Sequence, residues 1–186
     1  MSEEFYMEGD VEKALSELYN KPLPPEGLPY VLPLTALPGF GMTSRVRSWA
    51  HHYNVNFVEI SVPTLRFRQE EVEYVDWASL MGGKEVAVFS KIEPSTKIVD
   101  VLFTPEQIDA MDQEKSVIFL DDYEMNNVEV RKQLINLIRR NQVLDPREGD
   151  LVRTLKNPQL IIVRVHTVGT NTEFLPIEKA FFGIKD

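Results

Sequence analysis

The stretch from Val31 to Tyr53 restricts the fold of this chain more than any other. An apolar run, Val31-Leu-Pro-Leu-Thr35, leads into Ala36-Leu-Pro-Gly-Phe-Gly-Met-Thr43 and then into a helical pattern, Ser44 to Tyr53. A strand must end there, turn sharply and continue as a helix. Gly39 and Gly41 supply the dihedrals that such a turn needs, because they carry no Cβ. A strand–turn–helix unit buries its strand only within a sheet that has helices laid over it. Val55 to Ser61, Ser116 to Asp122 and Leu160 to Thr167 read as further strands. Several are nearly continuously apolar, as strands covered on both faces must be. Asn127 or Val128 to Asn141 reads as a helix, with Val130, Leu134, Leu137 and Ile138 on one face. The expectation is an α/β domain, a mostly parallel sheet within three αβα layers.

The other elements are less sharply marked. Asp10 to Tyr19 reads as a short amphipathic helix, and Lys21 to Pro29 as a proline-rich linker without regular structure. The expected organisation is therefore an N-terminal helix and linker over 1–29 and an α/β core over 30–186. The first core strand is expected from about Tyr30 to Ala36. Pro33 cannot donate to a ladder, so it belongs near the start of that strand or at an unpaired position. Gln69 to Met81 reads as a helix ending at Gly82-Gly83. Val86 to Phe89 and Lys97 to Phe103 flank Glu93-Pro-Ser-Thr96 as a β-hairpin. Thr104-Pro-Glu-Gln107 is a capping box with proline at the first helical position, opening a helix through about Met111. Leu175 to Phe182 forms a last short helix.

Composition removes some functions. Twenty Lys and Arg against 29 Asp and Glu leave a net charge of −9, which opposes a nucleic-acid backbone bound across the whole surface. Without cysteine there is no disulfide and no thiolate metal site. The acidic N-terminus lacks a signal-peptide core, and no apolar run approaches the ~18 residues of a membrane span. A cytoplasmic protein is the expectation, with no membrane partner.

The glycine-bearing turn sits where the phosphate-binding pattern G-x-x-x-x-G-K-[ST] belongs, after a strand and before a helix. Pro38, Gly39, Phe40, Gly41, Met42, Thr43 and Ser44 are the candidates to cradle the phosphates of ATP or ADP. The Thr43 hydroxyl is a candidate Mg²⁺ ligand. Met42 stands where the pattern has lysine, and Ala36 where it has its first glycine. A plain turn is the simpler alternative. Four apolar residues, Val117 to Leu120, precede Asp121-Asp122, matching a strand whose first acid holds Mg²⁺ and whose second orients the attacking water. Acids are also common where a strand enters a turn. His51 and His52 suit the end of a helix dipole, and His166 a strand at the core edge. Trp49 and Trp77 read as packing anchors.

The strand Leu160 to Thr167 is followed by Val168-Gly-Thr-Asn-Thr-Glu-Phe-Leu-Pro-Ile-Glu-Lys-Ala180. This resembles the sensor 1 region of AAA+ ATPases, especially MoxR-like members, in which a Leu-Pro-x-x-Ala helix follows. The resemblance covers most of the chain after Tyr30 and implies a P-loop NTPase fold, nucleotide with Mg²⁺, and assembly with a protein partner or further copies. It would place Asn171, or Thr170, on the γ-phosphate or the attacking water, beside Asp122. The departures are Met42, Phe40, the short Asp122, the lack of an arginine in the final helix and the end of the sequence before a lid. Lys185 cannot replace the missing arginine's planar fork, whereas Arg45 is a candidate to stand in for the missing lysine. Two functions follow: ATP binding with impaired or assembly-dependent hydrolysis, or a pseudo-ATPase serving as an interaction or scaffold module. A flavodoxin-like domain would leave the Leu-Pro-x-x-Ala segment unexplained.

Overall fold

A computed structural model describes residues 8–35, 41–66, 68–74, 93–99, 102–147, 152–167 and 170–184, with backbone alone for 68–74 and 93–99. The chain order is α1 (Asp10–Asn20), β1 (Tyr30–Leu34), α2 (Met42–His52), β2 (Phe57–Ser61), β3 (Arg68–Tyr74) and β4 (Glu93–Val99). Then come α3 (Pro105–Met111), β5 (Ser116–Asp121), α4 (Val128–Arg140), β6 (Gln142–Leu144), β7 (Val152–Thr154), β8 (Pro158–Arg164) and α5 (Pro176–Phe182). The central sheet has the order β1–β8–β5–β2, and every pairing in it is parallel.

Side-chain alternation divides this sheet between two cores. Val117 and Phe119 of β5, with Leu160 and Ile162 of β8, pack under α1 and α2 beside Leu15, Val46 and Trp49. Ile118 and Leu120, with Ile161 and Val163, face Ile108 of α3, Leu134 and Leu137 of α4 and Phe182 of α5. Adjacent residues of one strand thus feed opposite cores, which is why both inner strands are apolar at nearly every position. The expected three-layer αβα sandwich with a parallel sheet is what forms.

Pro33 stands opposite Val163, one residue before the end of β1. It is tolerated because β1 lies at the sheet's edge among the described strands, where only one side needs ladder partners. The helix expected from Gln69 is corrected: 68–74 is strand β3, paired antiparallel with β4. Glu93 to Thr96, expected as a turn, lies inside β4, and β4 stops at Val99. Tyr74 pairs with Glu93, and this cross-strand pairing overrides the helical preference of Glu70, Glu71 and Glu73. Residues 75–92, which include Val86 to Phe89 and Trp77, lie outside the described set. Phe181 and Phe182 belong to α5, within the last short helix expected from the sequence.

Helix α1 is built into the upper core. Leu15 is fully buried, Glu12 is ion-paired to Arg45 at 2.6 Å, and the Gln159 amide donates to the Leu18 and Lys21 carbonyls at 2.9 and 2.7 Å. Burial opposes the charge on Glu12, yet the Arg45 hydrogen bonds hold its carboxyl below the ordinary value. Arg45, the candidate stand-in for the missing lysine, is therefore engaged with α1. On the other face the buried Arg131–Glu178 pair, at 2.9 Å, joins α4 to α5, and the Tyr123 hydroxyl donates to the same carboxylate. The β6–β7 hairpin is an addition to the expected elements. Its arginines, Arg147 and Arg153, hold buried Asp145 together with Asp109 and Asp112.

Two outcomes test this packing. Leu15→Ala is expected to lower unfolding stability by about 2–5 kcal/mol in urea titration; a loss near zero would detach α1 from the core. The Arg147 hydrogen bonds hold the Asp145 carboxyl down, from 3.8 to about 2. A depressed carboxylate stabilises above its unfolded value and loses that contribution as pH falls through the folded one. Asp145→Asn should therefore be clearly less stable than the parent at pH 5, with the gap closing between about pH 4 and about pH 2.

Candidate functional site

Parallel strands bring their carboxyl ends to one edge of a sheet, where α/β domains bind their ligands. Here Asp121 ends β5 and Arg164 ends β8. Strand parity places Asp121 on the side of Val117 and Phe119, and Arg164 on the side of Leu160 and Ile162. That side carries the start of α2. Gly41 caps α2 in the left-handed region, at φ +61°, the one point of this turn in the described residues where glycine is required. Thr43 is the second residue of the helix.

These placements converge on one guanidinium. Thr43 Oγ1 donates to Asp121 Oδ2 at 2.9 Å and accepts from Arg164 Nη1 at 2.9 Å. The same Nη1 reaches Asp121 Oδ1 at 3.2 Å and Asp122 Oδ1 at 3.4 Å. Arg164 and Asp121 are largely buried, with side chains 12% and 10% exposed. Arg164 Nη2 lies 3.2 Å from His166 Nε2, and His166 Nδ1 lies 2.9 Å from Glu124 Oε1. Glu124 also accepts from the His166 backbone N–H, and its side chain is completely buried. A continuous polar chain runs from α2 through the ends of β5 and β8 to Glu124.

Local structure fixes the chain's far end. Asp122 leaves β5 at φ +54°, and the following Tyr123 N–H returns to the Arg164 carbonyl at 3.0 Å. Asn126 donates to the Val62 and Leu65 carbonyls beyond β2, and Asn127 caps α4 by accepting from Val130 N–H at 2.9 Å. Thr172 Oγ1 donates to the Glu124 carbonyl at 3.1 Å and accepts from Thr170 Oγ1 at 2.9 Å.

Of the residues singled out by sequence, Thr43, Asp121 and Asp122 meet at Arg164. Pro38, Gly39 and Phe40 lie outside the described residues. Ser44 sits beside Thr43 at the start of α2 and is exposed. Asn171 is exposed between Thr170 and Thr172, and has no hydrogen-bond partner among the described residues. Met42 is 6% exposed and belongs to the core beneath α1 and α2. With Val46, Trp49 and Ala50 it forms the i, i+4, i+7, i+8 stripe of α2. That stripe is readable in the sequence. So is Arg164, whose parity along β8 matches Leu160 and Ile162. The pairing of His166 with Glu124 is not, because it depends on the turn after β5.

No protein-family model matches the chain, and no curated protein matches it. Solved structures resemble it at low identity. A Cytophaga hutchinsonii protein named as a candidate ATPase is 16% identical, over 91% of this chain and 42% of that one, with a TM-score of 0.45. A proline-to-glycine variant of Thermotoga maritima RuvB is 15% identical, over 89% and 40%, with a TM-score of 0.39. The chain thus spans less than half of either protein. Its own geometry is the firmer ground: a parallel sheet covered on both faces, a helix opened by left-handed Gly41, and a helix-start threonine bonded to a strand-end aspartate. The fold is P-loop NTPase-like.

The described residues fit an Mg²⁺–nucleotide centre poorly. The Thr43 hydroxyl already donates to Asp121 and accepts from Arg164, and both carboxylate oxygens of the would-be ligand are engaged, one by each partner. The position for a phosphate-binding lysine is filled by a core methionine. Met42→Lys is therefore expected to destabilise the fold by on the order of 3 kcal/mol or more and to leave ATP affinity unchanged. Parallel thermal melts with and without nucleotide would check both outcomes.

Proposed function

We propose that this chain is an AAA+-type domain that has given up hydrolysis and acts as a pseudo-ATPase, an interaction or scaffold module of a larger assembly. The observation that carries the reading is the Arg164 guanidinium bonded to both Thr43 and Asp121. Those two oxygen donors are the ones a P-loop enzyme spends on Mg²⁺. A protein cation in the same place keeps the strand ends and α2 together without a ligand. The buried Met42 supports the same reading, as does the short Asp122, which is itself paired with Arg164. The net charge of −9 suits a partner with a basic face.

A second reading has one observation of its own. Arg164 lies beside the start of α2, where backbone N–H groups and the dipole attract anions. ATP or ADP could be held there without metal, the arginine taking the lysine's part, and no hydrolysis would follow.

Calorimetric titration with ATP and ADP to millimolar concentration, in Mg²⁺ and in EDTA, separates the two. The pseudo-ATPase reading expects no heat of binding in either buffer and no phosphate release. Binding in EDTA that Arg164→Ala weakens by about tenfold or more would favour the second reading. Mg²⁺-dependent binding that Asp121→Ala abolishes would overturn both.

A further inference from the structure

Beyond the strand-end aspartate, a second group of ligand atoms is gathered. Asp122, Glu124 and His166 each offer one donor atom, all within 4.8 Å of one another. His166 Nδ1 lies 2.9 Å from Glu124 Oε1 and 3.8 Å from Asp122 Oδ1. The Glu124 side chain is fully buried, and its Oε2 has no hydrogen-bond partner among the described residues. A buried carboxylate oxygen left bare costs the desolvation of that atom, so a bound ion there would be stabilised.

Charge points the same way. Arg164 Nη2 has only N–H to present, so His166 Nε2, 3.2 Å away, must accept. Nδ1 then is the ring donor, to Glu124. Asp121, Asp122 and Glu124 carry three formal negative charges. Among the described residues, Arg164 is the one arginine or lysine paired with any of them. Two negative charges remain in a largely buried cluster, and such charges are paired or hold a metal.

We propose that Asp122, Glu124 and His166 bind a divalent first-row transition ion of the Zn²⁺ and Co²⁺ class. One imidazole and two carboxylates match that class better than Mg²⁺, which takes oxygen donors alone. The ion occupies Nδ1, and the ring proton moves to Nε2. Nε2 then can no longer accept from Arg164, so the ion and the guanidinium oppose one another across His166. The site uses neither Thr43 nor the α2 turn, and it stands apart from the nucleotide reading.

The test is titration of metal-free full-length protein, without nucleotide, by Co²⁺ absorption and by Zn²⁺ calorimetry. One ion per chain is expected, with a dissociation constant of about micromolar or tighter. His166→Gln and Asp122→Asn should each weaken it about tenfold or more, since even outer-shell partners of a metal cost that much. Arg164→Gln should tighten it, and Thr43→Ala should leave it unchanged. Glu124→Gln touches a fully buried group that supports the backbone, so half-exposed Asp122 carries the test if that variant fails to fold. No binding below about 100 µM would overturn the proposal. So would binding that survives His166→Gln, or binding that Thr43→Ala or a His51→Gln/His52→Gln double variant removes.

Discussion

The guanidinium of Arg164 is the piece on which the functional edge of this domain depends. Three oxygen-bearing side chains, from the start of α2, the end of β5 and the turn beyond it, bond to one arginine at the end of β8. Its carbonyl accepts from Tyr123 N–H, and the next backbone N–H donates to the Leu34 carbonyl of β1. Three of the four central strands and α2 are thereby held together at the carboxyl edge of the sheet. Asp121 and Asp122 share there a cation of the protein's own.

That arrangement follows from strand parity. The apolar residues on one side of β5 and β8 fill the core under α2, and the same alternation carried to the strand ends delivers Asp121 and Arg164 to Thr43. The periodicity that builds the core therefore also builds the site. The helical stripe of α2 acts likewise on Met42, drawing it into the core with Val46 and Trp49. A lysine at that position would have to leave the stripe, whereas a methionine completes it.

Much of this architecture is legible in the amino-acid sequence. The apolar runs at Val117 to Leu120 and Leu160 to Val163 announce the parallel sheet, and Asn127 with the helical spacing of Val130, Leu134 and Leu137 marks α4. The stretch from Gln69 is misleading because its glutamates favour helix, whereas its backbone pairs with β4 across a long sequence separation. Local propensity carries no information about such a partner. Pro33 looks like an obstacle because edge and centre of a sheet cannot be told apart within one strand. The pairing of Glu124 with His166 is hidden for a related reason. They are 42 residues apart, and each alone resembles an ordinary residue beyond a strand.

Arg164 against Asp121 is the interaction to measure. In a double-mutant cycle, stability would be determined for the parent, Arg164→Ala, Asp121→Ala and the double variant, all free of metal and nucleotide. If the guanidinium is the resident cation of this site, the two residues should be coupled by more than about 1 kcal/mol, the double variant losing less than the sum of the singles. Strict additivity would mean that Asp121 does not depend on Arg164, and it would contradict the account.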